Sequence, residues 1–172
     1  MPTTISCAFI GIGSNLQDPQ AQAMSAIAAI DAADELILAK SSSLYSSSPM
    51  GPPDQPCYIN AVVALRTSLT SLELLEHLQL IEREHGRVRR DVHWGPRTLD
   101  LDILLFGNET VTTKRLRIPH PGMLDRAFVI VPLAEIAPTQ VLPNGETAMA
   151  FARSMPPGGL VCLSSAPGTQ RS

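Results

Sequence analysis

Eight consecutive residues, Leu99 to Phe106, are apolar except for two aspartates, and this composition points to a buried β-strand. Side chains on a strand alternate between faces, so Asp100 and Asp102 share one face while Leu99, Leu101 and Ile103 fill the other. Two carboxylates one strand repeat apart, about 6.6 Å between Cα atoms, repel each other unless a cation lies between them. Hard oxygen donors of this kind suit Mg²⁺, which takes one or two carboxylates and completes its shell with phosphate oxygens and water. Pro96-Arg97 stands just upstream, and an arginine there is a ready partner for a phosphoryl group. An edge strand that merely exposes two acids is the plain alternative. The Trp94-Gly95-Pro96-Arg97-Thr98 loop and the arginines before it favour metal-assisted nucleotide chemistry instead.

The chain has 172 residues, 44% of them hydrophobic and 17% charged, which fits one globular core. A single domain is expected over residues 1–163, followed by a small polar tail at 164–172 with the composition of a disordered end. The net charge of −3 speaks against a general nucleic-acid binder. Lys40 and Lys114 are the only lysines, so phosphate recognition falls to arginine, whose planar fork binds it in a bidentate manner. Cys7, Cys57 and Cys162 are odd in number and form no Cys-x-x-Cys pair, as in a reduced, cytoplasmic protein without structural zinc. No signal peptide and no run long enough to span a membrane is seen, so no membrane partner is expected.

The pattern predicts a strand over Ser6–Ile12 that ends in a glycine turn, Gly11-Ile12-Gly13-Ser14-Asn15. Asp18-Pro19 opens a helix as N-cap and first residue, with Met24, Ile27, Ala28 and Ile30 as its buried stripe. One long strand is expected over Leu36–Ser48, then a Pro-rich loop from Met50 to Pro56. Tyr58–Arg66 alternates as a strand. Thr70-Ser71-Leu72-Glu73 is a capping box that starts a second helix, with Leu75, Leu78 and Ile81 at helical spacing. Gly86–Thr98 reads as an Arg-rich loop before the Leu99–Phe106 strand, and a hairpin is expected around Gly107-Asn108. Helices follow at Asp125–Ile136 and Thr147–Ser154, with a last strand at Leu160–Leu163. The class is therefore α+β, a ferredoxin-like βαββαβ core with additional C-terminal helices and a strand.

Gly11-Ile12-Gly13 lacks the third glycine of a dinucleotide fingerprint and the Gly-Lys-Ser/Thr of a P-loop. Arg83, Arg87, Arg89, Arg90 and Arg97 crowd one segment. Arg83 reads as part of a solvated helix face beside Glu82 and Glu84, whereas Arg87, Arg89 and Arg97 suit phosphate contact. Trp94 is either a core anchor or part of a covering loop. Pro119-His120-Pro121 holds His120 in extended backbone, which suits either an aimed imidazole or a structural one. His77, His85 and His93 show no metal spacing and receive no role. Tyr58 and Asn60 share a strand face and could stack on and hydrogen-bond a flat heterocycle, or simply pack.

Several segments together resemble one family. Gly51 to Asn60 (Gly-Pro-x-Asp-Gln-Pro-x-Tyr-x-Asn), Gly86-Arg87-Val88-Arg89, Trp94 to Asp102, Ile118-Pro119-His120-Pro121 with Arg126-Ala127-Phe128, and Pro132 to Pro138 are similar to the 6-hydroxymethyl-7,8-dihydropterin pyrophosphokinases of folate biosynthesis. The resemblance implies transfer of pyrophosphate from ATP to the pterin hydroxymethyl group, with release of AMP. It implies two Mg²⁺ on Asp100 and Asp102, and Arg87 and Arg97 as catalytic groups. The pterin side would comprise Ser47, Met50, Tyr58, Asn60, Trp94, Phe128 and Arg126, with Tyr58 and Phe128 on its two faces. The ATP side would comprise Glu82, Arg89, Arg97, Ile103, Arg115 and His120. The substrates would be ATP and the pterin, with no nucleic acid, and the enzyme a monomer. Arg117 departs from the small hydroxyl residue common at its place, and Ser47-Ser48 stands where Thr-Pro is usual.

An RNA-binding module of the same fold would need a basic surface and exposed aromatics on its central strands. A nucleotide-sugar Asp-x-Asp site belongs to larger domains. Both rank below the pyrophosphokinase reading.

Overall fold

The computed structural model describes residues 4–15, 18–47, 57–85, 99–156 and 159–164. The loop from Met50 to Pro56 and the Gly86–Thr98 segment, with Arg87, Arg89, Arg90, His93, Trp94 and Arg97, lie outside the described residues.

Strand β1 (Ser6–Ser14) leads into helix α1 (Pro19–Ala32), strands β2 (Leu36–Ser41), β3 (Leu44–Ser47) and β4 (Tyr58–Thr67), helix α2 (Ser71–Glu84) and strand β5 (Asp100–Phe106). A small hairpin of β6 (Val111–Thr112) and β7 (Arg117–Ile118), helices α3 (Ala127–Ile136) and α4 (Ala148–Ser154), and strand β8 (Val161–Ser164) follow. The main sheet runs β5-β1-β4-β3-β8, with β2 also paired to β4, and every pairing is antiparallel. With β2 and β3 counted as one broken strand, this is the 4-1-3-2 order of the expected ferredoxin-like βαββαβ core.

Each face of the sheet has its own core. Ile10, Ile12, Val63, Leu65, Leu101 and Ile103 pack with Ile27 and Ile30 of α1 and Leu74 and Leu78 of α2. On the opposite face Phe9, Val62, Ala64 and Leu104 pack with Val129, Ile130 and Leu133 of α3. Asp18 caps α1 through its carboxylate, which accepts from Ala21 N at 3.3 Å. Thr70 and Glu73 form the capping box of α2.

Several sequence expectations need correction. The glycines 11 and 13 are not a turn: β1 continues through them to Ser14, paired on both sides. The buried stripe of α1 is Ala23, Ala26, Ile27 and Ile30, while Met24 is 49% exposed and Ala28 faces outward. Small alanines let the helix lie close on the sheet, and hydrophobicity alone did not mark them. Leu36–Ser48 is two strands, broken where Ser42 turns its side chain inward. The Ser42 hydroxyl donates to Ser43 O at 2.8 Å and accepts from Val62 N at 2.9 Å, replacing a ladder bond. Gly107-Asn108 turns the chain out of β5, but the hairpin is β6–β7, around residues 113–116. Ser164 belongs to β8, opposite Leu44, and not to a tail.

Candidate active site

β1 is a shared central strand, so its register fixes which residues become neighbours on its two sides. Gly13 lies opposite Asp100 on β5 and opposite Asn60 on β4; Gly11 lies opposite Asp102 and Val62. Asn60 in turn pairs with Tyr45, and Tyr45 with Cys162 of β8. Asp100, Gly13, Asn60, Tyr45 and Cys162 therefore form one row across five strands. This row lies on the face that carries α3, since Val62 and Phe9, two and four residues along their strands, pack under that helix. The Asp-x-Asp and Gly-x-Gly patterns face each other because both have the strand period of two.

Asp100 and Asp102 are both partly exposed on this face, while Leu101 between them is buried in the opposite core. The two carboxylates are thus presented together, as read from the sequence. The amide of Leu101 is not left open: it donates to Glu82 Oε2 at 2.7 Å. Glu82, expected at the nucleotide, is only 5% exposed, and its carboxylate braces the strand at the residue between the two acids. No group of three or more His, Cys, Asp or Glu suited to a metal is found among the described residues. The Asp100–Asp102 pair fits Mg²⁺ as a two-carboxylate set that leaves the other positions to substrate oxygens. Among the described residues, a Cβ on Gly13, opposite Asp100, would meet only Asn60 Oδ1, whereas one on Gly11, opposite Asp102, would reach Leu104 Cδ2 at 3.4 Å.

His120 follows the cis Ile118–Pro119 peptide. Its backbone N–H donates to Leu104 O at 3.0 Å, which fixes it beside β5. Nδ1 accepts from Gly122 N at 3.1 Å, so a neutral ring carries its proton on Nε2. Nε2 lies 3.9 Å from Asp102 Oδ2. Burial and the neighbouring Arg126 guanidinium hold the imidazole below the ordinary histidine range, against the opposing pull of Asp100. The contact with Asp102 is accordingly that of a neutral donor, too long for a hydrogen bond. It leaves an N–H beside the acids.

Arg126 sits at the N-terminus of α3, with its guanidinium carbon 5.8 Å from the centre of the Phe128 ring. Gly122 allows this: a Cβ there would approach the guanidinium to 3.1 Å. Phe128 is partly buried against the core that holds Val62. Asn60 is 4% exposed; its Nδ2 donates to Ser47 Oγ at 2.7 Å, which also places Ser47 at the site. Its Oδ1 is the nearest described atom to the space above Gly13. Tyr58 is half-buried on the same face, next to Ser47 across β3–β4.

Two expected nucleotide contacts stand apart from this group. Ile103 is 3% exposed, with its side chain in the α1–α2 core, so a contact there is left to its main chain. Arg115 pairs with Glu76 of α2 at 3.8 Å, both side chains more than half exposed. Arg117 is exposed on β7. Met50, Arg87, Arg89, Trp94 and Arg97 lie outside the described residues.

One cluster was not read from the sequence. Glu135 of α3 accepts from Ser43 N at 3.0 Å, Ser43 Oγ at 2.8 Å and Tyr45 Oη at 2.5 Å. Burial, then the Glu135 carboxylate, push the Tyr45 hydroxyl well above its ordinary range, so it stays a donor. These bonds pin α3 to β3 and thereby fix the helix that carries Arg126 and Phe128. The only sequence signal was a single acid in the apolar run of Ala127–Ile136.

Residues 9–138 match the family described as 7,8-dihydro-6-hydroxymethylpterin-pyrophosphokinase. The chain is 53% identical over 139 residues to the 2-amino-4-hydroxy-6-hydroxymethyldihydropteridine pyrophosphokinase of Haemophilus influenzae, covering 81% of this chain and 86% of that protein. Its counterpart in Pseudomonas aeruginosa is 51% identical over 137 residues, covering 80% and 84%. Among solved structures, a Plasmodium falciparum HPPK-DHPS triple mutant with SDX-DHP superposes with a TM-score of 0.69 at 13% identity, over 88% of this chain. This chain spans 42% of that longer one, and the likeness shows the fold alone. The chain belongs to the 7,8-dihydro-6-hydroxymethylpterin-pyrophosphokinase family.

Proposed function

We propose that the chain transfers the β,γ-pyrophosphoryl group of ATP to the hydroxymethyl oxygen of 6-hydroxymethyl-7,8-dihydropterin. The acceptor oxygen bonds to the β-phosphorus, the bond from that phosphorus to the α,β-bridging oxygen breaks, and AMP leaves with the electron pair. The hydroxyl proton passes to solvent. The observation that carries this reading is the register in which Asp100, one of two acids suited to Mg²⁺, and a buried carboxamide flank Gly13, with the second acid, Asp102, one strand repeat away opposite Gly11.

Asp100 and Asp102 would hold the cation, in the family reading two Mg²⁺ ions. Bound Mg²⁺ supplies neutralisation of phosphate charge and alignment of the triphosphate. His120 directs a neutral Nε2–H toward the same region and can donate to a phosphate oxygen without adding charge. Arg126, beside it, supplies that charge. Asn60 reads the pterin edge with the amide that Ser47 orients, and Tyr58 and Phe128 offer it aromatic faces. Arg87 and Arg97 clamp the transferring group, a reaction in which positioning and electrostatics do nearly all the work. Met50 and Trp94 complete the pterin side. Glu82, Arg89, Arg115 and the main chain at Ile103 serve the nucleotide side, Glu82 through its hold on β5.

The test is AMP release. It should require both Mg²⁺ and the hydroxymethyl-dihydropterin; ADP formation, or AMP release indifferent to the pterin, contradicts the proposal.

A further inference from the structure

α2 ends in a turn whose own sequence favours fraying. Two of its last three residues, Glu82 and Glu84, are acids at the end of a helix that favours cations. Burying the Glu82 carboxylate also costs free energy, so a frayed turn would release it to water. Yet Glu82 stays buried, with Oε2 accepting from the Leu101 amide at 2.7 Å. The end of the helix is held by more than its own backbone.

His85, the residue that closes α2, supplies the hold. Its backbone N–H donates to Ile81 O at 3.1 Å, and its ring Nδ1 lies 2.8 Å from the same oxygen. A carbonyl only accepts, so Nδ1 carries a proton. In the neutral ring Nε2 then accepts, and the Ser25 hydroxyl donates to it at 2.9 Å. Ser25 belongs to α1, which Ala23, Ala26, Ile27 and Ile30 seat on the sheet. Ser25 itself is exposed, where alanine would suit the helix better, so its contribution is the bond it makes. One ring nitrogen therefore caps α2, and the other ties that cap to α1.

We infer that His85 is a positioning residue for the metal-side acids. Held between Ser25 and Ile81, it fixes the last turn of α2; the turn fixes Glu82, and Glu82 fixes β5 at the residue between Asp100 and Asp102. The consequence for Mg²⁺ rests on the function proposed above, whereas the bonded path from Ser25 to Leu101 does not. A plain helix cap would need Nδ1 alone, so the Ser25 bond separates a positioning role from a capping one.

The experiment compares the intact chain with Ser25→Ala, Ser25→Thr and His85→Asn. Ser25→Ala leaves the cap of α2 in place, and His85→Asn keeps an amide near the place of Nδ1 that is too short to reach Ser25. Amide hydrogen exchange at Leu101 and Ser43 is followed by NMR without metal or substrate. The Mg²⁺ concentration for half-maximal AMP release and the KM for the pterin are measured alongside. One net hydrogen bond is worth about two- to tenfold in an opening equilibrium. The Leu101 amide should therefore exchange about two- to tenfold faster in Ser25→Ala and His85→Asn, and at the parent rate in Ser25→Thr, which restores the hydroxyl. The Ser43 amide, held by Glu135 of α3, should keep its rate in every variant. The Mg²⁺ requirement should rise in the same two variants that loosen Leu101, with the pterin KM unchanged. Unaltered Leu101 exchange in Ser25→Ala, an equal rise at Ser43, a Mg²⁺ requirement equal to the parent's or a loss confined to the pterin KM would each overturn the inference. A parent chain without pterin-dependent AMP release would refute the underlying function instead, and the exchange rates of the metal-free protein are read independently of that result.

Discussion

At the scale of single residues, the site depends on what each polar atom is tied to. The Asp100 and Asp102 carboxylates stand on a strand whose amide between them is held by buried Glu82. Replacing Asp102 by Asn keeps shape and partial exposure but removes the charge that would bind Mg²⁺. Asp102→Asn should melt like the parent and lose nearly all turnover; turnover near the parent rate in Mg²⁺ would remove the acids from the metal site. Phe128 offers the opposite kind of contribution. Aromatic stacking on a base is worth about 1–3 kcal/mol, roughly 5- to 150-fold in affinity. Phe128→Ala should lose pterin affinity on this scale while ATP-analogue affinity holds, and isothermal titration with each ligand separates the two. Equal losses would make Phe128 a core residue only. His120 was legible as either an aimed or a structural imidazole, and its tautomer was not legible, because the Gly122 amide that sets it is visible only in the folded turn.

At the scale of elements, α2 and α3 position the site by different devices. α2 starts with a capping box in which Thr70 N and Glu73 Oε1 are 2.9 Å apart. Hydrogen bonds from the Thr70 backbone, then its side chain, hold the Glu73 carboxyl below the usual range. The unfolded chain therefore takes up that proton first as pH falls. The stabilisation is present above about pH 4.3, the ordinary glutamate value, and is lost as pH falls through the folded value. The melting-temperature gap between the parent and Glu73→Gln should narrow between about pH 6 and pH 3; a gap that stays constant would show that the charge plays no part. For α3 the device is Glu135. Glu135→Ala leaves the Ser43 amide and the Tyr45 hydroxyl without this acceptor, a loss of about 1–3 kcal/mol. For a chain of this size each kcal/mol shifts the melting temperature by about 2–4 °C. Pterin affinity should fall with it, because α3 carries Phe128; an unchanged melting temperature would mean that the bonds are dispensable. The β5 strand and both caps were legible because strand composition and capping chemistry are local. The break between β2 and β3 and the inward Ser42 were not, since they depend on Val62, which is twenty residues away.

At the scale of the whole molecule, the element order alone carried the ferredoxin-like class, and the matched relatives bear it out. The site was legible as residue types and not as an arrangement. Gly11 and Gly13 looked like a turn because glycine marks turns more often than strand interiors, and only the register of β1 against β4 and β5 shows what they face. The register also explains why acids, glycines and a carboxamide from three distant segments converge: each was placed on its strand with the same parity. The central claim is that this row brings a pterin hydroxyl to the β-phosphorus of ATP. The most direct measurement follows isotopic phosphorus from ATP labelled separately at the α-, β- and γ-positions into the separated products, with 6-hydroxymethyl-7,8-dihydropterin and Mg²⁺ present. The account predicts β- and γ-label together on the pterin and α-label in AMP. Label reaching the pterin from the γ-position alone, with ADP as the second product, would contradict it.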